Sequence, residues 1–191
     1  MPPKIRITRE MILDAAYAIA RQEGIEAVNA RTVAERLGCS TQPVLYQFAH
    51  VKDVRREVCR MADEYHTACL MQLPADENPM IALGMNYIRF AREERQLFRL
   101  LFQSDSLSGR GMTAMMDDPG LAPMLEIFQQ EAGLTLQQTR RVFMTLVLLV
   151  HGWASMLANN EMTYDEAEIA STLTMAFNGM IVALKMEEEQ P

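Results

Sequence analysis

Between Val33 and Phe48, small and branched residues fall at a spacing that few chain paths accept. Ala34 is small enough to sit where two helices cross. Gly38, four residues later, tolerates the positive φ of a tight turn. Val44, six residues after the glycine, is a branched apolar side chain that can lock a second helix onto the first, with Val33, Leu37 and Cys39 in the flanking apolar slots. The pattern predicts a helix-turn-helix, and each helix carries its own boundary signals. Asn29 reads as the N-cap of a helix over Ala30 to Leu37, with Val28 and Val33 at hydrophobic-staple spacing. Ser40 reads as the next N-cap, with Cys39 and Val44 at the same spacing and Pro43 in the first turn, where its missing N–H costs little. This reading helix ends near Phe48.

The remainder is also helical in pattern. Ile12, Ala16, Ile19 and Ala20 predict a first helix from about Thr8 to Glu23, ended by Gly24. After the helix-turn-helix, a fourth helix runs from about Val51 to Met71, a fifth from Met80 to Arg92 and a sixth from Arg95 to Gln103. Ser104 to Gly120 reads as a loop. A seventh helix spans about Leu121 to Ala132. Thr135 caps an eighth, to Asn159, and Thr163 caps a ninth, to about Met186, with Glu166 at capping-box spacing. Aromatics make up only 7% of the 191 residues, and helix formers outnumber β-branched residues. The expected fold is all-α with about nine helices: an N-terminal three-helix domain, residues 1–50, and a C-terminal helical domain, residues 51–191.

Two stretches carry no charge, Val142 to Asn160 and Ile169 to Leu184. The second is short for a membrane span, and the first contains His151, Gly152, Ser155 and two asparagines. No Lys/Arg-rich flank or aromatic belt frames either. Two such helices in succession suggest instead a packed hairpin whose outer face is covered by another subunit. No membrane association is expected. Three cysteines without a CxxC, and no signal peptide, point to a reducing cytoplasm.

Charge is unevenly distributed. Residues 1–60 hold ten Lys or Arg against seven Asp or Glu, whereas residues 61–191 hold eight against eighteen. A basic end on an acidic body suggests that only the N-terminal part meets a polyanion. The reading helix would offer Ser40, Thr41, Gln42, Tyr46 and Gln47. Gln pairs with adenine, Thr bonds a base edge or touches a thymine methyl, and Tyr bonds a phosphate. Arg6, Arg9, Arg31, Lys52, Arg55 and Arg56 lie near it in sequence as phosphate contacts.

At these residues the chain resembles the TetR/AcrR family of bacterial transcriptional regulators. The resemblance begins at Arg9-Glu10-Met11-Ile12-Leu13-Asp14-Ala15-Ala16 and continues through Ala30-Arg31-Thr32-Val33-Ala34-Glu35-Arg36-Leu37-Gly38 to about Glu57. Tyr87 to Phe102 is similar to the region of helices five and six in many members, and Val150-His151-Gly152-Trp153-Ala154 to a His-Gly pattern in their eighth helix. The resemblance implies a two-domain all-α homodimer, commonly a repressor, that leaves DNA when a small molecule binds the C-terminal domain. It implies DNA contacts from Thr41, Gln42, Pro43, Tyr46 and Gln47, to which Arg31, Thr32, Ser40 and Lys52 are added as candidates. Two positions depart from the family pattern. Counting from Gly38, the usual tyrosine falls at Leu45 while tyrosine sits at Tyr46, and the usual lysine falls at Val51 while lysine sits at Lys52.

Fourteen of the sixteen methionines follow residue 60, and Met adapts to varied apolar ligands as readily as it fills a core. Cys69, Met85, Phe128 and His151 are the candidate contacts for a small hydrophobic effector. His66 and Cys69, at i, i+3, lack a third metal ligand nearby, and no metal or cofactor is expected. Arg89, Arg92, Arg95 and Arg99 read as a solvated stripe. No nucleophile triad, phosphate loop or carboxylate pair stands out, so catalysis is not expected. The reading is a DNA-binding regulator that binds a near-palindromic operator as a homodimer joined through its last two helices. The alternative is an all-α small-molecule-binding or catalytic protein whose helix-turn-helix is only structural. Nothing in the sequence distinguishes repressor from activator.

Overall fold

A computed structural model describes residues 6–104 and 119–188. Most of the expected loop before Gly120, and the Glu189 to Pro191 end of the tail, lie outside the described residues. Among those described there are nine α-helices: α1 (Arg9–Glu23), α2 (Ala30–Arg36), α3 (Thr41–Gln47), α4 (Val51–Leu70), α5 (Pro79–Glu93), α6 (Arg95–Phe102), α7 (Ala122–Ala132), α8 (Leu136–Asn159) and α9 (Glu166–Glu188).

Local chemistry sets most boundaries. The Asn29 side chain accepts from the backbone N–H groups of Arg31 and Thr32, while the Thr32 hydroxyl accepts from Asn29 N–H, a complete capping box. Gly38 has φ +64; its N–H donates to Glu35 O and that of Cys39 to Ala34 O. These two bonds are the Schellman pattern, and they close α2 in the left-handed conformation that glycine takes without strain. Ser40 occupies the N-cap position of α3, but its side chain makes no capping bond.

Two boundaries differ from the sequence expectation. Helix α5 starts at Pro79, because the Asn78 side chain accepts from the N–H groups of Met80 and Ile81 and proline suits the first helical position. Helix α9 is capped by Asp165, not Thr163: the Asp165 carboxylate accepts from Ala167 and Glu168 N–H. A carboxylate also complements the helix dipole there, which a hydroxyl does less well.

The chain forms two compact units. The first holds α1 to α3, α4 as far as Thr67, and α6. It is larger than residues 1–50, because α6 packs its fully buried Leu97 and Phe98 in this unit, where α6 lies against α1. Arg21 of α1 donates from Nε and Nη2 to the two carboxylate oxygens of Glu94, just ahead of α6, and the Tyr65 hydroxyl donates to the same carboxylate at 3.3 Å.

The second unit holds the end of α4, α5, and α7 to α9. Its core has two clusters. One gathers Met80, Leu83, Phe128, Phe143 and Phe177, with the Phe128 and Phe143 rings edge to face at 5.1 Å. The other gathers Met85, Ile88, Val150, Leu157, Ile169 and Leu173. Asn86 of α5 donates to Leu70 O and Gln72 O and so satisfies carbonyls at the end of α4. Arg89 and Arg92 keep 42% and 38% of their side-chain surface in solvent, and both also make contacts. Arg92 stacks over the Tyr164 ring at 4.5 Å and Arg89 approaches Glu166 at 3.6 Å, so both hold the turn into α9 against α5.

Helices α8 and α9, over Leu136–Asn159 and Glu166–Glu187, are long and apolar enough to cross a membrane by length and composition. The charge-free run Ile169 to Leu184 alone reads as too short, but the helix extends past it at both ends. Only 22% of the apolar window of α9 is buried within the chain, so much of this helix is left to be covered by something else.

Gly84 sits at a close helix contact in the second unit. A β-carbon there would lie 3.0 Å from Leu173 Cδ1 and 3.2 Å from Val150 Cγ1. Gly84→Leu should therefore overpack the contact of α5 with α8 and α9 and destabilise the protein by about 1–3 kcal/mol, read by urea denaturation. An unchanged midpoint would contradict this packing.

Candidate functional site

Helix α3 has a strict inside and outside. Val44 and Phe48 are 3% exposed each and face Val33 and Val54, while Thr41, Gln42, Leu45 and Tyr46 face solvent. At 100° per residue the outward side forms two columns, Thr41 with Leu45 and Gln42 with Tyr46. Tyr46 is 86% exposed. Burial of Val44 and Phe48 leaves Leu45 and Tyr46 side by side on the outward face. Pro43 and Gln47 are half-buried at the flanks, and Ser40 is exposed at the helix start.

The candidate phosphate contacts differ in availability. Arg55 donates to Val28 O, to Glu26 O and to the Glu26 carboxylate, so it ties α4 to the turn before α2. Arg9 covers the Phe48 ring at 4.1 Å and reaches Glu57 at 3.7 Å. Arg31 pairs with Glu35 at 2.9 Å and Arg56 with Asp53 at 3.1 Å, all of these side chains being solvent-accessible. Such exposed pairs are screened by solvent and contribute little, so a phosphate can displace the carboxylate. Lys52 is exposed and makes no ion pair among the described residues. The Thr32 hydroxyl donates within 2.7 Å of Ala27 O as well as serving the capping box, so it holds the turn in place. The engagement of Arg55 has no signal in the sequence, since its partners lie 27 and 29 residues away.

The four effector candidates all lie in the second unit. Met85 and Phe128 are buried in different core clusters, and Cys69 is half-buried at the end of α4. His151 is held in a polar chain: the Tyr87 hydroxyl lies 2.9 Å from its Nδ1, and Ser155 Oγ lies 3.3 Å from its Nε2. Burial pushes the Tyr87 phenol up and the imidazole down, so both are neutral near pH 7. A neutral imidazole donates from one nitrogen and accepts at the other, which suits two hydroxyl partners. Sequence reasoning missed Tyr87 here; its partner is 64 residues away and belongs to another helix. Tyr87 also packs against both core clusters.

The first unit therefore presents the solvent-facing side of α3 from a helix-turn-helix, and the second unit is all-helical. The family described as "Tetracyclin repressor-like, C-terminal domain" matches residues 80–178, just over half of the chain. Of solved structures, the multidrug binding protein EbrR complexed with imidazole is similar in fold, with a TM-score of 0.54, 23% identity and 88% of each chain covered. No curated protein matches the chain. The chain belongs to the TetR family, and it is a ligand-responsive transcriptional regulator.

His66 lies buried on α4. It is 7% exposed, with its ring edge-on to Phe102 at 5.0 Å, and no group of three or more His, Cys, Asp or Glu is gathered among the described residues. Burial pushes its imidazole down to about 4, against 6.5 ordinarily. Between those values the unfolded chain binds the proton and the folded chain does not. Stability should thus be lost as pH falls from 6.5 toward 4, on the order of 1.4 kcal/mol per pH unit. Urea titrations of the wild type and His66→Gln across that window test this; equal slopes in the two proteins would contradict it.

Proposed function

We propose that the protein is a cytoplasmic homodimeric repressor that binds a near-palindromic DNA operator and is released by a small hydrophobic effector. It acts as a regulator and not as an enzyme. Residues 1–50 read DNA, and residues 51–191 hold the effector and the dimer contact. The observation that carries this is the outward side of α3: Thr41, Gln42 and Tyr46 stand in solvent on a helix fixed from behind by Val44 and Phe48, in a chain of the TetR family. Ser40, Pro43 and Gln47 flank that face, and Arg31, Thr32 and Lys52 form its phosphate-contacting border.

Dimerisation through α8 and α9 is supported by what the lone chain leaves exposed. On α8, Thr145, Leu148, Gly152 and Met156 recur at helical spacing, and on α9 so do Met175, Gly179, Val182 and Met186. A second copy related by a two-fold axis covers the same stripe on both chains. It also presents two reading helices, so the operator has two half-sites about one DNA turn or more apart.

A duplex selected by the full chain from a random library, titrated at several salt concentrations, tests the DNA reading. Gln42→Ala should cost about 1–3 kcal/mol at one position per half-site. Lys52→Ala should weaken binding uniformly and reduce the salt slope by about 1 per half-site, so about 2 for the dimer. Unchanged affinity in both Gln42→Ala and Tyr46→Ala, with the fold intact, would sink this face, as would one chain per duplex.

For the effector, residues 61–191 carry a net negative charge, which disfavours an anion. The Met-rich interior offers adaptable apolar contact, and Tyr87, His151 and Ser155 offer neutral hydrogen bonding. We infer a neutral or cationic hydrophobic ligand held among the end of α4, α5 and α8, with Cys69, Met85, Phe128 and His151 as contacts. EbrR, named for multidrug binding and crystallised with imidazole, is consistent with this class of ligand. Release from DNA follows only if the ligand prefers the conformation that the operator does not accept. Thermal shift and operator release with a ligand panel test it. Stabilisation by small organic anions alone would overturn the charge argument, and stabilisation without operator release would remove the switch.

A further inference from the structure

We propose that Leu45 is a sequence-reading residue, seated against the 5-methyl group of a thymine in each operator half-site. The proposal rests on the DNA-binding reading above and assigns a base to a side chain that the family resemblance leaves without one. Leu45 is 52% exposed and lies beside Tyr46 on α3. Among the described residues of the first unit, the remaining exposed large hydrophobic side chain is Tyr65, at 37%, and its hydroxyl is engaged with Glu94. Among those residues, exposed apolar surface is therefore concentrated on the outward face of α3.

The leucine is also steadied. Its inner flank borders a narrow concavity with Val28, Ala30, Val33, Phe48 and Val51, so its outer methyl groups are held at a fixed place on the helix. Thr41, one turn before it, lies in the same column and adds a γ-methyl group. Leucine has no donor or acceptor. Against a polar base edge it would strand that edge without a hydrogen bond. The apolar group that the major groove displays is the thymine C5-methyl. Gln42, in the neighbouring column, suits an adenine, so the half-site should be A·T-rich where α3 enters.

The test replaces each thymidine of the selected duplex in turn by deoxyuridine, which lacks only the methyl group. Binding of the full chain is read by fluorescence anisotropy at fixed salt. One buried methyl is worth about fourfold in affinity, or about fifteenfold when both half-sites are changed. One position per half-site should show this loss in the wild type and no loss in Leu45→Ala, with both proteins giving the same thermal melt. The wild-type scan stands by itself should Leu45→Ala misfold. A wild type indifferent to deoxyuridine at every position, or an equal loss in Leu45→Ala, would overturn the assignment while leaving DNA binding intact. Failure to select any duplex would overturn the DNA reading and this proposal together.

Discussion

The direction in which α3 presents its side chains depends on the burial of Val44 and Phe48. Val44 lies on the inward side of a seven-residue helix that has little stability of its own, and Phe48 is buried at its C-cap. The Schellman turn at Gly38 delivers the chain at the right angle, and the two apolar side chains then fix the rotation of the helix. A rotation of 100° would expose Val44 and bury Leu45 or Tyr46. Apolar transfer of about 1.5–3 kcal/mol per side chain selects the observed rotation. Every outward residue, and so every candidate contact with DNA, inherits its direction from that choice.

The head has a second anchor in Glu94. This carboxylate is 8% exposed and receives Arg21 and the Tyr65 hydroxyl. A buried charge left without its partner costs about 3–5 kcal/mol, so the three groups act together to keep α6 on α1 and α4 in place. The arginines around α3 play a different part. Arg9, Arg31 and Arg56 rest on carboxylates of their own unit, and Arg55 is committed to backbone carbonyls. The basic surplus of the first sixty residues is thus partly neutralised locally, and among the described residues Lys52 makes no ion pair.

In the second unit the polar chain Tyr87–His151–Ser155 lies within largely apolar surroundings. Both titratable members are held neutral by burial. Gly84 sets how closely α5 approaches α8 and α9, where the core has little slack.

The sequence alone determined the helices, their caps at Asn29 and Thr135, the turn at Gly38 and the inward set on α3. All of these depend on residues within a few positions of each other, where spacing and side-chain chemistry suffice. It also carried the family resemblance in the head, although the family match that places the chain falls on residues 80–178. Competition between neighbouring caps was harder to read. Asp165 displaced Thr163 because a charged acceptor two residues on serves the same helix start better. Only the tertiary structure decided the rest. Arg55 serves a turn 27 residues back, Glu94 meets a guanidinium 73 residues away, Tyr87 finds His151 across 64 residues, and α6 joins the head and not the body. These pairings depend on which helix faces pack together, a long-range choice made by the total burial of apolar surface that no local spacing encodes.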